Sequence, residues 1–155
     1  MISNDSEING YDHVEQVFAS FSISDFTCDP DDITQMLSIE PTATSRRGAI
    51  IRNKKTGEAL GLVKRNRWTL VSRGVDSKDA NVHLRWLIAR VALHGNVLEQ
   101  VDGAGLFSVI YKSSYLYAGT GPVIASNICA SIANLHAELG FDIYCTSSHV
   151  GDNSD

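Results

Sequence analysis

Three aspartates, Asp29, Asp31 and Asp32, crowd around Pro30 in the stretch CDPDDITQMLSIEPT at residues 28–42. Clustered carboxylates can ligate calcium or work as acid–base pairs, so chemistry is sought here first. A calcium loop needs alternating oxygen ligands, a glycine at its sharp turn and a distant glutamate, and this stretch has no such pattern. The spacing fits a helix start instead. Asp29 takes the N-cap, Pro30 the first helical position, where its missing N–H costs nothing, and Asp31 and Asp32 the first turn, near the positive end of the helix dipole. Asp32, three residues after the cap, makes a short-armed capping box, and Cys28 with Ile33 forms the staple. Ile33, Met36 and Leu37 share one face, and Pro41 ends the element.

The other reactive residue types are scattered. His13, His83, His94, His136 and His149 include no pair four apart, so no helical zinc motif is present. His83 and His136 are expected to be solvated or partly packed. GTGP at 119–122 lacks the lysine of a phosphate loop and is expected to be a turn. No serine stands in a GxSxG elbow. Cys28, Cys129 and Cys145 form an odd set without CxxC spacing, and two of them sit inside apolar patterns, which suits small buried thiols in a reducing compartment. No catalytic residue, metal ligand set or cofactor is assigned, and the balance favours a non-enzymatic role, with a small-molecule or enzymatic pocket between sheet and helices as an alternative.

What asks for a partner is charge. Residues 46–73 carry nine basic residues against the single acid Glu58, a net +8, while the chain as a whole is −5 and the remainder therefore −13. Arg65 and Arg67, two apart on an expected strand, would project from one face about 7 Å from each other. Arg46, Arg47 and Arg52 come from the neighbouring strand or its approach. Three readings of this stripe stand: a solvated strand face that protects a sheet edge, a dock for an acidic protein, or a phosphate-binding surface. Negative net charge and a tryptophan, Trp68, committed to the core weigh against nucleic acid.

These side chains need elements to hold them. Val17, Ala19, Phe21 and Ile23 alternate with Phe18, Ser20, Ser22 and Ser24, giving a first strand. After the acidic-capped helix, TSRRGAIIRN and LVKRNRWTLVS read as a hairpin turning at Gly57, with Leu62, Trp68 and Leu70 on one face. A second helix runs from about Lys78 to Leu93, with Leu84, Leu87, Ile88 and Val91 as its stripe, Trp86 beside it and Gly95 as its stop. LFSVIYKS is a strand apolar on both faces. Ser126 caps a third helix carrying Ile128, Ile132, Leu135 and Leu139 and ended by Gly140, and FDIYC is the last strand. The fold class is therefore α+β: two layers, a single mostly antiparallel sheet of about five strands with three helices packed on one face.

One globular domain is expected over residues 13–146, with flexible tails at 1–12 and 147–155. Hydrophobic residues at 43% and charged residues at 20% match a globular chain. No apolar run approaches membrane-spanning length, and the acidic start MISNDSEINGYDH is unlike a signal peptide, so the expected location is cytoplasmic.

The runs DPDDITQMLSIEPTATSRRG, RWTLVS, HLRWLIARV and ASNICASIANLHAELGFDIY, in that order, resemble the bacterial domain-of-unknown-function family 4279 over about residues 14–145. The resemblance implies a small bacterial α+β domain and brings no reaction with it. By analogy in size it implies an immunity-like accessory protein of bacterial conflict systems, although fold-level analogy is a poor guide to function.

Overall fold

Alternation of apolar and small polar residues produces β1 (Val14–Ser24), in which Val17, Ala19, Phe21 and Ile23 are buried while Phe18, Ser20, Ser22 and Ser24 stay half-exposed. The computed structural model describes residues 14–114 and 121–146. The expected tails, His13, His149 and the first part of the 119–122 turn lie outside them.

β1 is the centre of the sheet. It pairs antiparallel with β5 (Arg67–Val71) on one side and with β6 (Ala104–Ser113) on the other. β2 (Ala43–Ser45) extends the sheet beyond β5, and β7 (Glu138–Cys145) lies parallel to β6, giving the order β2-β5-β1-β6-β7. A parallel neighbour requires a crossover, and the last helix supplies it.

The described residues form four α-helices: α1 (Pro30–Leu37), α2 (Ala80–Val91), the short α3 (Gly95–Leu98) and α4 (Ser126–Asn134). Ile33 and Leu37 of α1, Leu84, Leu87 and Val91 of α2, and Ile128 and Ile132 of α4 are buried in one core with Phe21, Trp68, Phe107 and Val109. Each such side chain, once covered, contributes roughly 1.5–3 kcal/mol. The Phe21 and Phe107 rings meet at 4.7 Å between centroids and tilt by 40°, joining β1 to β6. As expected, Trp68 turns inward against a helix: its indole N–H donates to Thr34 Oγ1 of α1 at 3.1 Å.

The acidic cluster is a helix cap, as the spacing predicts. Asp29 Oδ1 accepts from the Asp31 N–H at 2.9 Å, and Asp32 Oδ2 accepts from the Asp29 N–H at 3.0 Å, completing the box. Met36, however, is exposed rather than part of the buried face.

Several expectations are corrected. The strands are not all in one sheet, because β3 (Ile50–Arg52) and β4 (Ala59–Leu62) form a separate ribbon. Leu62 therefore shares no face with Trp68. Gly95 does not stop α2, which ends at Val91; a tight turn at Ala92–His94 and then α3 carry the chain on. Ala125, not Ser126, is the N-cap of α4, and its N–H is taken by Asn81 Oδ1 at 2.8 Å. Nor does α4 reach Gly140. It ends in a left-handed His136, with the His136 N–H on the Ala133 carbonyl at 2.9 Å and the Ala137 N–H on that of Ile132 at 3.3 Å. This is the Schellman arrangement, in which the chain reverses and frees 138–145 to become β7.

Candidate functional site

The basic segment leaves the sheet at Asn66. Its side-chain amide donates to the carbonyls of Phe26 at 3.1 Å and Cys28 at 3.0 Å, and its Oδ1 accepts from the Arg47 N–H at 2.8 Å. These bonds pin the start of β5 to the loop after β1, so the strand predicted as continuous through LVKRNRWTLVS breaks there. Upstream of the break, Gly48 donates to the Val63 carbonyl and Val63 to that of Ala49, closing the root of the ribbon. Ile50 then opposes Leu62 and Ile51 opposes Gly61, with an irregularity before Arg52. At the tip Gly57 takes φ +74, as the turn requires, and donates to the Asn53 carbonyl at 2.8 Å.

The five arginines singled out in the sequence do not act alike. Arg46 lies 3.0 Å from Asp29 and 2.7 Å from Asp31. Arg65 lies in the connection between β4 and β5 rather than on a strand face, and pairs with Asp25 at 3.1 Å. Both cations are answered by the chain's own carboxylates. Arg52 donates to the Gly57 carbonyl at 3.0 Å and so stiffens the ribbon while keeping its charge. Arg47, Arg52 and Arg67, with Lys54, Lys55 and Lys64, form no ion pair among the described residues. Arg65 and Arg67 therefore do not form the expected pair on one face. Arg47, Lys64 and Arg65 instead line a hollow of about 190 Å³ at the root of the ribbon, beside Asp25 and Asn66.

The Arg46 guanidinium holds the Asp29 carboxyl below the usual carboxylate range, with the Asp31 N–H adding to it. Nearby, Asp102 is held down in the same sense by the Thr27 hydroxyl and N–H, at 2.8 and 3.1 Å. Burial pushes the Cys28 thiol up, and the Asp32 charge adds to the rise, which favours the protonated thiol. Cys28, Cys129 and Cys145 are all free, and Cys129 is exposed rather than buried as expected.

Sequence reasoning missed the aliphatic content of the ribbon. Ile50 is 53% exposed, Ile51 44%, Leu60 64% and Leu62 60%; Ile50 opposes Leu62, so these two share a face, and Leu60 sits at the irregularity beside them. The hydrophobic alternation was present in the sequence, but nothing local says whether such a face meets the core or solvent.

His83, expected to be solvated or partly packed, is only 1% exposed, and Ser72 is fully buried. The Ser72 Oγ lies 2.8 Å from His83 Nδ1, and His83 Nε2 is 2.9 Å from the Ser77 carbonyl. A carbonyl only accepts, so Nε2 donates to it, while the one Ser72 hydroxyl hydrogen has two acceptors within reach, His83 Nδ1 and the Ala19 carbonyl at 3.0 Å. Serine beside histidine resembles a nucleophile and its base, but an enclosed hydroxyl cannot reach a substrate. The Ala19 N–H donates to that same oxygen at 2.9 Å, so the group ties β1 to the end of β5 and to α2. No group of three histidines, cysteines or carboxylates suited to a metal occurs among the described residues. Nor is any helix among them long and apolar enough to cross a membrane.

Fold and site together define a small α+β domain with a mixed five-stranded sheet and a projecting basic ribbon. The chain belongs to the family described as Domain of unknown function (DUF4279), whose model matches residues 15–146. No curated protein and no solved structure matches it.

Proposed function

We propose that this chain is a non-enzymatic binding module whose β3–β4 ribbon docks onto an acidic protein surface with an apolar centre. The observation that carries the reading is the bare aliphatic surface of Ile50, Leu60 and Leu62 set among cations without ion-pair partners among the described residues. A two-stranded ribbon is at best marginally stable in water, and large side chains on it gain nothing until something covers them. A partner would cover the aliphatic surface and direct a carboxylate into the hollow between Arg47 and Lys64, with charge complementarity speeding encounter. The immunity-like case, in which that partner is a toxin, is one form of this reading.

The test is affinity capture from nuclease-treated lysate of the source organism, followed by direct titration with the protein identified. Ile50→Ser/Leu60→Ser/Leu62→Ser and Arg47→Glu/Lys64→Glu are each expected to weaken that titration at least tenfold while the chain remains folded. Equal affinity for both folded variants overturns the reading. Tight, salt-dependent binding of a labelled oligonucleotide, lost on charge reversal alone, would replace it with nucleic-acid association.

A further inference from the structure

A second hollow, of about 270 Å³, opens between β1, the start of β6 and the turns that follow α3 and α4; none of its lining residues belongs to the ribbon. Phe21, Ile23, Leu98, Val101 and Leu135 supply apolar walls, and Glu99 and His136 are its ionisable side chains. The hollow is open to solvent, and the buried Phe21 and Ile23 side chains stand at its base. An apolar cavity of about 150 Å³ accepts benzene, so this one has room for a single ring and a short chain.

Two features keep the hollow as it is. A side chain at Gly105 would place its Cβ 3.3 Å from that of Ala137 and 3.5 Å from the Phe21 ring, so bare backbone is what leaves the wall open. His136 sits at φ +51, in the left-handed position of the Schellman turn that glycine occupies without steric cost. Stability alone would favour glycine there. What histidine adds is an ionisable side chain at a residue that lines the hollow together with Glu99, both at exposed positions.

The charge of the lining is one-sided. Among the described residues that line it, Glu99 is the one acid and no lysine or arginine accompanies it. A bound anion would meet repulsion, whereas a protonated amine would meet a carboxylate and an imidazole lone pair. We infer that this hollow binds a small cationic amphiphile: a one-ring apolar body packed on Phe21, Ile23 and Leu135, carrying an ammonium group toward Glu99 and His136. Ligand pockets of this kind combine apolar walls with a few polar groups that fix orientation.

Calorimetric or NMR titration of the full chain with 2-phenylethylamine, 2-phenylethanol and 3-phenylpropionate tests the inference. The amine is expected to bind at least tenfold more tightly than the other two. Glu99→Gln, at an exposed position, is expected to bring the amine to the alcohol's affinity without shifting the melting temperature. His136→Gly is expected to raise that temperature by about 2–4 °C while weakening the amine severalfold. Equal affinity for the three probes, no amine binding at millimolar concentration, or an undiminished amine preference in Glu99→Gln overturns the proposal.

Discussion

Arg46 Nε lies 3.0 Å from a carboxylate oxygen of Asp29, so the residue that caps α1 also anchors the root of the ribbon. The pair separates the cations of residues 46–73 into two groups. Arg46 and Arg65 are held by internal carboxylates, whereas the other cations of the segment have no ion-pair partner among the described residues.

Charge reversal separates the groups. Arg46→Glu places a carboxylate against Asp29 and Asp31 and is expected to lower the denaturation midpoint. Lys54→Glu/Lys55→Glu, near the tip, is expected to change stability by less than about 0.5 kcal/mol, as surface substitutions usually do. Urea titrations monitored by tryptophan fluorescence decide it. Equal loss in both variants would mean that the pairs to Arg46 do not anchor the ribbon.

Acid should destabilise the fold through identifiable carboxylates. Asp29, Asp102 and Glu15 are all held below the usual range: by Arg46 first, by the Thr27 hydroxyl first, and by the Thr146 hydroxyl and then Lys112. A depressed folded-state pKa means that the unfolded chain takes up the proton more readily. The stability so gained is fully present above the unfolded carboxylate value of about 4 and disappears as pH falls through the lower folded value. Stability measured between pH 7 and pH 2 should decline over this acidic range, and less steeply in Asp102→Asn. An identical slope in that variant would remove Asp102 from the account.

The Ser72–His83 pair is expected to act on stability. Ser72→Ala strips a partner from the Ala19 N–H and from His83 Nδ1, both inside the fold. Leaving buried polar groups without partners costs about 1–3 kcal/mol, and chemical denaturation reads it directly. A loss below about 0.5 kcal/mol would show that the network is not needed to join β1, the end of β5 and α2.

Asp79 offers a second cap to test. Its Oδ1 accepts from the Asn81 N–H at 2.8 Å at the start of α2. Asp79→Ala is expected to cost about 0.5–2 kcal/mol, and Asp79→Asn, which retains a capping oxygen, much less. Equal costs for the two variants would assign the effect to charge rather than to the cap.

Short-range physics was legible in the sequence. The cap at Asp29, the period-two strand from Val14, the inward Trp68 and the turn at Gly57 each depend on neighbours a few residues away, and each forms as the residue pattern dictates. The family was legible too, through the order of those same local features. The features on which function is proposed were not. Whether Ile50 and Leu62 meet a core or solvent depends on Asn66 being latched to Phe26 and Cys28, about forty residues earlier. Which arginines remain unpaired depends on where Asp25, Asp29 and Asp31 come to rest, and the hollow beside His136 exists only where segments distant in the chain converge. Backbone propensity acts over one turn or one strand, whereas exposure, pairing and cavities are properties of chain packing, which only the tertiary structure decides.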